Sequence, residues 1–125
     1  MRPTRPSLTA TQVRRERGMV TAELAAAFPA LVLVIAVAVG GVGAGIDQIR
    51  CVDAARLAAR ALARGDPQAA VVATARSAAP AGARIAVSAT GSIVTVSVSV
   101  RRELPAGAFG LDLAANASAD REVGT

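Results

Sequence analysis

Few side chains in this chain of 125 residues could take part in chemistry. The sequence has one cysteine, Cys51, no histidine, and fourteen arginines against nine acidic residues, for a net charge of +5. Without histidine a Ser-His-Asp or Cys-His catalytic arrangement cannot form, and one cysteine does not make a zinc site. The scattered aspartates, serines and arginines have no spacing typical of a catalytic or metal-binding constellation. We therefore predict a protein that is not an enzyme and that carries no metal or cofactor.

The most specific signal lies where a basic arm meets an apolar run. Residues 14–24 read RRERGMVTAEL. Gly18 ends the arm, Met19 follows it, and Glu23 is the fifth residue when Met19 is counted as the first. A carboxylate beside a membrane span costs free energy unless it is paired or stays at the interface. Glu23 is therefore either a charge at the membrane boundary or a residue that has a partner.

The run from Leu24 to Ile46 predicts a membrane-spanning helix. Its 23 residues contain no charge. At about 1.5 Å per residue they form a helix of about 34 Å, which exceeds the roughly 30 Å of a bilayer core. Residues 1–18 carry five arginines and one glutamate, which predicts a cytoplasmic N-terminus and an extracytoplasmic C-terminal part. Because this positive charge lies on a short arm and not on a folded face, we expect no nucleic-acid binding.

Two features near the end of the run have two interpretations each. Gly41 and Gly45 have the GxxxG spacing that lets a second helix pack closely, although glycine is also common in membrane helices. Cys51 follows the span on the outer side, where it could form an intermolecular disulfide or serve as a small apolar helix residue. The residue types leave both alternatives open in each case.

Residues 47–64 predict that the helix continues beyond the membrane. The predicted apolar side of this stretch consists of Ile49, Val52, Leu57, Ala59 and Leu62. The arginines that repeat every four positions, and that either contact lipid headgroups or acidic partners or face solvent, are Arg56, Arg60 and Arg64. Gly65 predicts the end of this helix. Asp66 and Pro67 then predict the N-cap and first turn of a second helix over residues 68–79.

The C-terminal part changes to an alternating pattern, which predicts strands. Apolar and polar residues alternate over residues 84–89, 93–100 and 113–120, and Thr90-Gly91 predicts a tight hairpin turn between the first two strands. The expected fold class is therefore α+β. It comprises a transmembrane helix that continues into an extracytoplasmic helix, a short second helix, and a small antiparallel sheet of about three strands.

The junction in residues 14–24, together with the apolar run, resembles the class III signal of type IV pilins and pseudopilins. With a cysteine shortly after the span and a β-rich C-terminal part, the chain resembles in particular the TadE-like minor pilins of tight-adherence (Tad) pili. The stretch from Glu16 to Gly65 carries most of this resemblance. The C-terminal part matches only in having alternating strands and a proline-bearing turn. The implied organisation is a basic leader at 1–18, a pilin-type long helix at 19–65 with its transmembrane part at 24–46, and a small extracytoplasmic α+β region at 66–125.

In that family a prepilin peptidase cuts after the glycine, which here implies cleavage between Gly18 and Met19. The implied partners are this peptidase, a major pilin, other minor pilins and a membrane assembly platform driven by a cytoplasmic ATPase. An assembling subunit would bring its new α-ammonium group into a helix bundle of low polarity, where an unpaired charge is costly. We therefore expect Glu23 to pair with the Met19 amine of a neighbouring subunit.

Two other functions are compatible with the same residues. One is an ordinary small secreted protein, in which residues 1–45 form a signal peptide cleaved at Ala36-Val37-Ala38 or Gly43-Ala44-Gly45. The apolar run is, however, longer than the 7–15 residues usual in signal peptides. The other is a single-span membrane protein that tethers an unrelated partner. The position of cleavage, or its absence, distinguishes the three.

Overall fold

The computed structural model describes residues 10–104, 107 and 109–121. The elements are α1 (Ala10–Ala63), α2 (Gln68–Ala78), β1 (Arg84–Thr90), β2 (Ile93–Glu103) and β3 (Gly110–Asp120). This order confirms the predicted α+β fold class. The chain divides within α1 into two compact units, one up to Ala36 and one from Val37 onward.

The first unit is a helical stretch whose large apolar side chains are exposed. α1 begins at Ala10, earlier than Met19, where we expected the long helix to start. The glutamine, arginines and glutamate of this arm are good helix formers, which accounts for the earlier start. From Met19 to Ile35 every large apolar side chain is at least half exposed. Apolar residues on all sides of a helix are typical of a membrane segment.

Gly65 ends α1, as predicted. Its φ is +82°, a left-handed conformation that glycine adopts without strain. The N–H of Gly65 donates to the carbonyl of Leu62 at 2.9 Å, and the N–H of Asp66 donates to the carbonyl of Ala61 at 3.1 Å. These two bonds form a Schellman cap, which satisfies two of the last carbonyl groups of the helix.

The prediction that Asp66 caps α2 was wrong. The N-cap is Pro67, which makes no side-chain cap hydrogen bond, and α2 starts at Gln68. Asp66 belongs to the Schellman turn of α1, and its carboxylate pairs there with Arg64 at 2.9 Å. α2 ends at Ala78, next to its predicted end.

The three strands form an antiparallel sheet in the order β1-β2-β3. Thr90 pairs with Ile93, so the hairpin loop consists of Gly91 and Ser92 and not of the predicted Thr90-Gly91. Gly91 has a φ of +63°, which provides the left-handed conformation that a two-residue hairpin requires. β2 and β3 pair without interruption from Ile93↔Asp120 to Glu103↔Gly110.

The core of the second unit combines one face of the sheet with small side chains of α1. The buried residues of β2 alternate along the strand, as predicted, and are Val94, Val96, Val98 and Val100. In the same cluster α1 contributes Cys51, Ala54, Ala55, Ala58, Ala61 and Leu62, and α2 contributes Val71 and Ala75. The apolar strand residues that pack half-buried against this cluster are Ile85 and Val87 of β1 and Leu113, Ala115 and Ala117 of β3.

The apolar side predicted for residues 47–64 was partly wrong. Ala59 and Leu62 are buried, but Ile49 is 63% exposed and Leu57 is 36% exposed. The buried side consists mainly of alanines, and Ile49 and Leu57 lie on other sides of the helix. Larger side chains at the buried alanine positions would hold the helix away from the sheet or force strained rotamers.

Candidate functional site

The predicted processing junction lies on α1 in the first unit. Met19 is 72% exposed, and apart from the backbone of its own helix a Cβ placed on Gly18 would meet none of the described residues within 4 Å. Thr21 Oγ1 donates to the carbonyl of Arg17 at 2.9 Å, a hydrogen bond within the helix that bridges the junction. Within the part of this unit that the structure describes, no packed side chain shields the Gly18–Met19 peptide bond.

Glu23 is exposed and lies one helical turn after Met19. Residues four positions apart stand on the same side of a helix, about 6 Å apart along its axis. Among the described residues Glu23 takes part in no ion pair. Its carboxylate therefore lies beside the position at which cleavage after Gly18 would create an amine.

The uncharged stretch of α1 has the length and composition to cross a membrane. One such helix near the N-terminus is compatible with a single-pass membrane protein. Gly41 and Gly45 lie in the second unit on exposed positions, where an added Cβ would meet no other side chain within 4 Å in the part of the chain that the structure describes. The side of the helix that carries both glycines is therefore open to a second helix.

The residues that directly follow the apolar run are bonded to the sheet. Arg102 Nε donates to Asp47 Oδ2 at 2.5 Å, and Arg102 Nη2 donates to the carbonyl of Ala81 at 3.4 Å. Gln48 Nε2 donates to the carbonyl of Ala114 on β3 at 3.0 Å. The Asp47 side chain is only 15% exposed, so this ion pair is less screened by water than one on the open surface. Together these bonds attach the segment after the predicted span to β2 and β3.

Sequence reasoning did not find this group of contacts. Asp47 and Arg102 are 55 positions apart, and Gln48 and Ala114 are 66 positions apart. A local pattern of apolar and polar residues cannot predict contacts between residues so far apart in the sequence. The only available signal was that Asp47 is the first charged residue after the uncharged run.

Cys51 lies in the core and is 0% exposed. Burial raises the pKa of its thiol, the neighbouring Asp47 carboxylate raises this pKa further, and the Arg102 guanidinium lowers it. The thiol is therefore protonated at neutral pH, and it has no surface at which the thiol of another chain could reach it in this fold. Burial favours a small apolar core residue over an intermolecular disulfide.

Comparison with known proteins identifies a relative of this chain. Over 104 residues, which are 82% of this chain and 79% of the relative, the sequence is 42% identical to a protein of Mycobacterium tuberculosis (strain ATCC 25618 / H37Rv) named apoptosis inhibitor Rv3655c. No family model matches the chain, and no solved structure matches it. The similarity extends over most of both proteins and is not limited to an isolated motif.

Proposed function

The chain belongs to the same family as the mycobacterial protein Rv3655c, and for this member we propose the function of a minor pilin or pseudopilin. In this proposal a prepilin peptidase removes residues 1–18, and the mature subunit takes part in the assembly of a Tad-type type IV pilus. The N-terminus of the uncleaved chain is cytoplasmic, and the region after the span is extracytoplasmic. The partners are those expected of a pilin: the peptidase, a major pilin, other minor pilins and the assembly platform.

One observation carries this proposal. Gly18, Met19 and Glu23 stand in pilin-type order directly before an uncharged helix, and all three are accessible on that helix. A peptidase needs an accessible peptide bond, and a filament subunit needs an apolar helix surface that can leave the lipid to pack against other helices. The exposed run from Leu24 to Ile46 provides such a surface.

The test of processing is the intact mass of the full chain, produced in membranes with and without a prepilin peptidase. We expect a chain that begins at Met19 only when the peptidase is present, and a Gly18→Leu variant that stays uncut. Gly43→Leu is the matched control, because Gly43 also lies on α1 and an added Cβ there would likewise meet no side chain of the described residues within 4 Å. A Gly18→Leu variant cut at the same position and to the same extent as the control would refute processing at this junction.

Glu23 has a separate role in the proposal. After cleavage the Met19 amine becomes a positive charge at the end of an apolar helix, and the Glu23 carboxylate of a neighbouring subunit neutralises it. We expect Glu23→Ala to be processed normally but to be recovered with pili or pilin complexes at a level lower by about tenfold, which reflects the cost of an unpaired charge in a site of low polarity. Glu16→Ala is the control, because Glu16 is removed with the leader. Equal recovery of both variants would rule out the role of Glu23.

The name of the mycobacterial relative assigns apoptosis inhibition to that protein, and this supports a second candidate function, that of a released effector. An effector that acts on another cell must leave the producing cell, as the signal-peptide alternative would allow. The same mass measurement separates the two functions. A chain that begins near residue 39 or 46 and is found in the medium would favour the effector, whereas an uncut chain in the presence of the peptidase would favour a membrane tether.

A further inference from the structure

The outer edge of β3 has backbone groups that no strand among the described residues uses. Arg121 N–H donates to the carbonyl of Ser92 at 2.8 Å, and Leu104 N–H donates to the carbonyl of Phe109 at 3.1 Å. Both bonds continue the β2–β3 register, and both involve odd-numbered residues on the β3 side. Because bonded and outward-facing residues alternate in an antiparallel ladder, the N–H and C=O groups of the even-numbered residues Asn116 and Ser118 point away from β2.

This edge is not protected in the ways that usually prevent strand addition. Natural sheets protect open edges with prolines, charged side chains, bulges or short strands. β3 is 11 residues long, pairs with β2 without a bulge, and has no proline and no charge between Asp112 and Asp120. Gln48 of α1 bonds the edge carbonyl of Ala114, so the open stretch begins beyond that residue.

A groove runs between this open stretch and α1. It has a volume of about 400 Å³ and is lined by Arg56, Ala59 and Arg60 of α1 and by Ala117 and Ser118 of β3. The small side chains at three of these positions leave room for an extended backbone beside β3. The groove therefore combines an open strand edge with two guanidinium groups.

The charge of the groove is positive. Arg56 and Arg60 are exposed, and among the described residues neither is paired with a carboxylate. Two aspartates lie on the same two elements. Asp53 precedes Arg56 by three positions on α1. Asp120 ends β3, and its carboxylate accepts a hydrogen bond from Ser92 Oγ at 3.3 Å. Neither aspartate lines the groove.

We propose that this groove binds an extended acidic segment of a partner protein, which adds to β3 as a fourth strand. The spacing matches: acidic side chains at alternate positions of a strand are about 6.7 Å apart, and Arg56 and Arg60 are about 6 Å apart along the helix. Backbone hydrogen bonds to Asn116 and Ser118 would provide affinity, and the two arginines would select acidic residues on the side of the strand that faces α1.

A second copy of this chain is a poorer occupant of the groove. Antiparallel pairing of two β3 edges would bring Arg56 and Arg60 of both copies to the same side of the joint sheet, where like charges repel. It would also reverse the direction of α1 in one copy, because α1 contacts β3 near Ala114 first and near Ser118 later along the helix. Two copies whose residues 47–60 run in the same direction cannot pair in this way.

The test measures binding of a labelled nine-residue peptide of alternating Thr and Glu to the full chain in zwitterionic detergent micelles, by fluorescence anisotropy. We expect the same peptide with Lys in place of Glu not to bind, and the variant Arg56→Glu/Arg60→Glu to bind the Glu peptide at least about tenfold more weakly. Asn116→Pro removes one outward N–H without removing a ladder bond to β2, and it should also weaken binding.

The matched control is Arg76→Glu/Arg84→Glu, which makes the same change in net charge at exposed positions of α2 and β1. It should bind the Glu peptide as the unaltered chain does. Equal binding of the Glu and Lys peptides, equal losses in the two double variants, or no binding of the Glu peptide up to about 1 mM would overturn the proposal. Self-association of the full chain would also overturn the proposal if it prevented peptide binding and was lost in Asn116→Pro. That result would show that the β3 edge binds a second copy of the chain.

Discussion

Two stretches of α1 use apolar side chains in opposite ways. Between Leu24 and Ile46 the large side chains are exposed: Phe28 is 69% and Val34 is 64% exposed. Between Cys51 and Leu62 the buried positions are mostly alanines, and Ala58 is 0% exposed. The stretch from Leu24 to Ile46 therefore exposes a large apolar area. The buried side chains between Cys51 and Leu62 are small, but they are almost completely buried.

The difference shows that apolar composition alone does not decide which residues form a core. In a bilayer the lipid chains are as apolar as leucine, so a spanning helix is selected for exposed apolar area. Against a sheet, the helix is selected for fit, because protein interiors are close-packed and a side chain that is too large strains its neighbours. The same helical backbone meets both demands through side-chain size.

The largest expected effect comes from placing a charge in the first stretch. Val34→Arg puts a guanidinium near the middle of the span, at a cost of about 3 kcal/mol for insertion. We expect the fraction of protein that resists alkaline extraction from membranes to fall by about tenfold or more. Leu57→Arg, which introduces the same side chain at an exposed position of the second stretch, should be extracted like the unaltered chain. Equal behaviour of the two variants would contradict the assignment of residues 24–46 to the membrane.

The second stretch should instead be sensitive to size. Ala58→Leu adds volume at a fully buried contact, and we expect it to lower the free energy of unfolding by about 2 kcal/mol. The neighbouring change Leu57→Ala removes a side chain from the partly exposed side and should cost less than about 1 kcal/mol. Urea unfolding of the full chain in micelles measures both. A larger loss for Leu57→Ala would mean that the helix packs on its larger residues, as the sequence pattern had suggested.

Much of this fold follows from local patterns. The alternation of valines between Val94 and Val100 predicts both the strand and its buried face, because a period of two is a property of the strand itself. Gly65 predicts the end of α1 for an equally local reason, since the left-handed conformation there favours glycine. Such features depend on residues that are close in sequence.

The errors have a common cause, which is competition between distant or overlapping contacts. Asp66 is a good N-cap residue, but its backbone N–H already donates to the carbonyl of Ala61 in the C-terminal cap of α1. Ile49 and Leu57 have the hydrophobicity of core residues, but they lie on sides of α1 that the core does not cover. The Asp47–Arg102 pair joins residues that only the folded chain brings together. Side-chain packing and ion pairs between distant residues depend on the folded structure, so the residue pattern of one segment cannot predict them.

A smaller effect distinguishes two arginines that are adjacent in sequence. Arg102 pairs with the nearly buried Asp47, whereas Arg101 pairs with Asp112 at 3.1 Å between side chains that are 65% and 73% exposed. We expect Arg102→Ala to lower the free energy of unfolding by about 1 kcal/mol, because it leaves a partly buried carboxylate without a partner. Arg101→Ala should cost less than about 0.5 kcal/mol. If urea unfolding gives the same loss of free energy of unfolding for Arg102→Ala and Arg101→Ala, the shielding of Asp47 from water contributes nothing to stability.

One effect on the buried stretch is absent at neutral pH and concerns the Cys51 thiol. Burial raises the pKa of Cys51 in the folded chain, so the unfolded chain loses the thiol proton first as the pH increases. The free energy of unfolding should therefore be unaffected by the thiol at neutral pH and decrease above its ordinary pKa of about 8.5, by at most about 1.4 kcal/mol per pH unit. The chain has no lysine and no tyrosine, which are the other side chains that ordinarily lose a proton between about pH 8.5 and 11. Cys51→Ala should lack this decrease, and a decrease that persists in that variant would exclude the buried thiol as its origin.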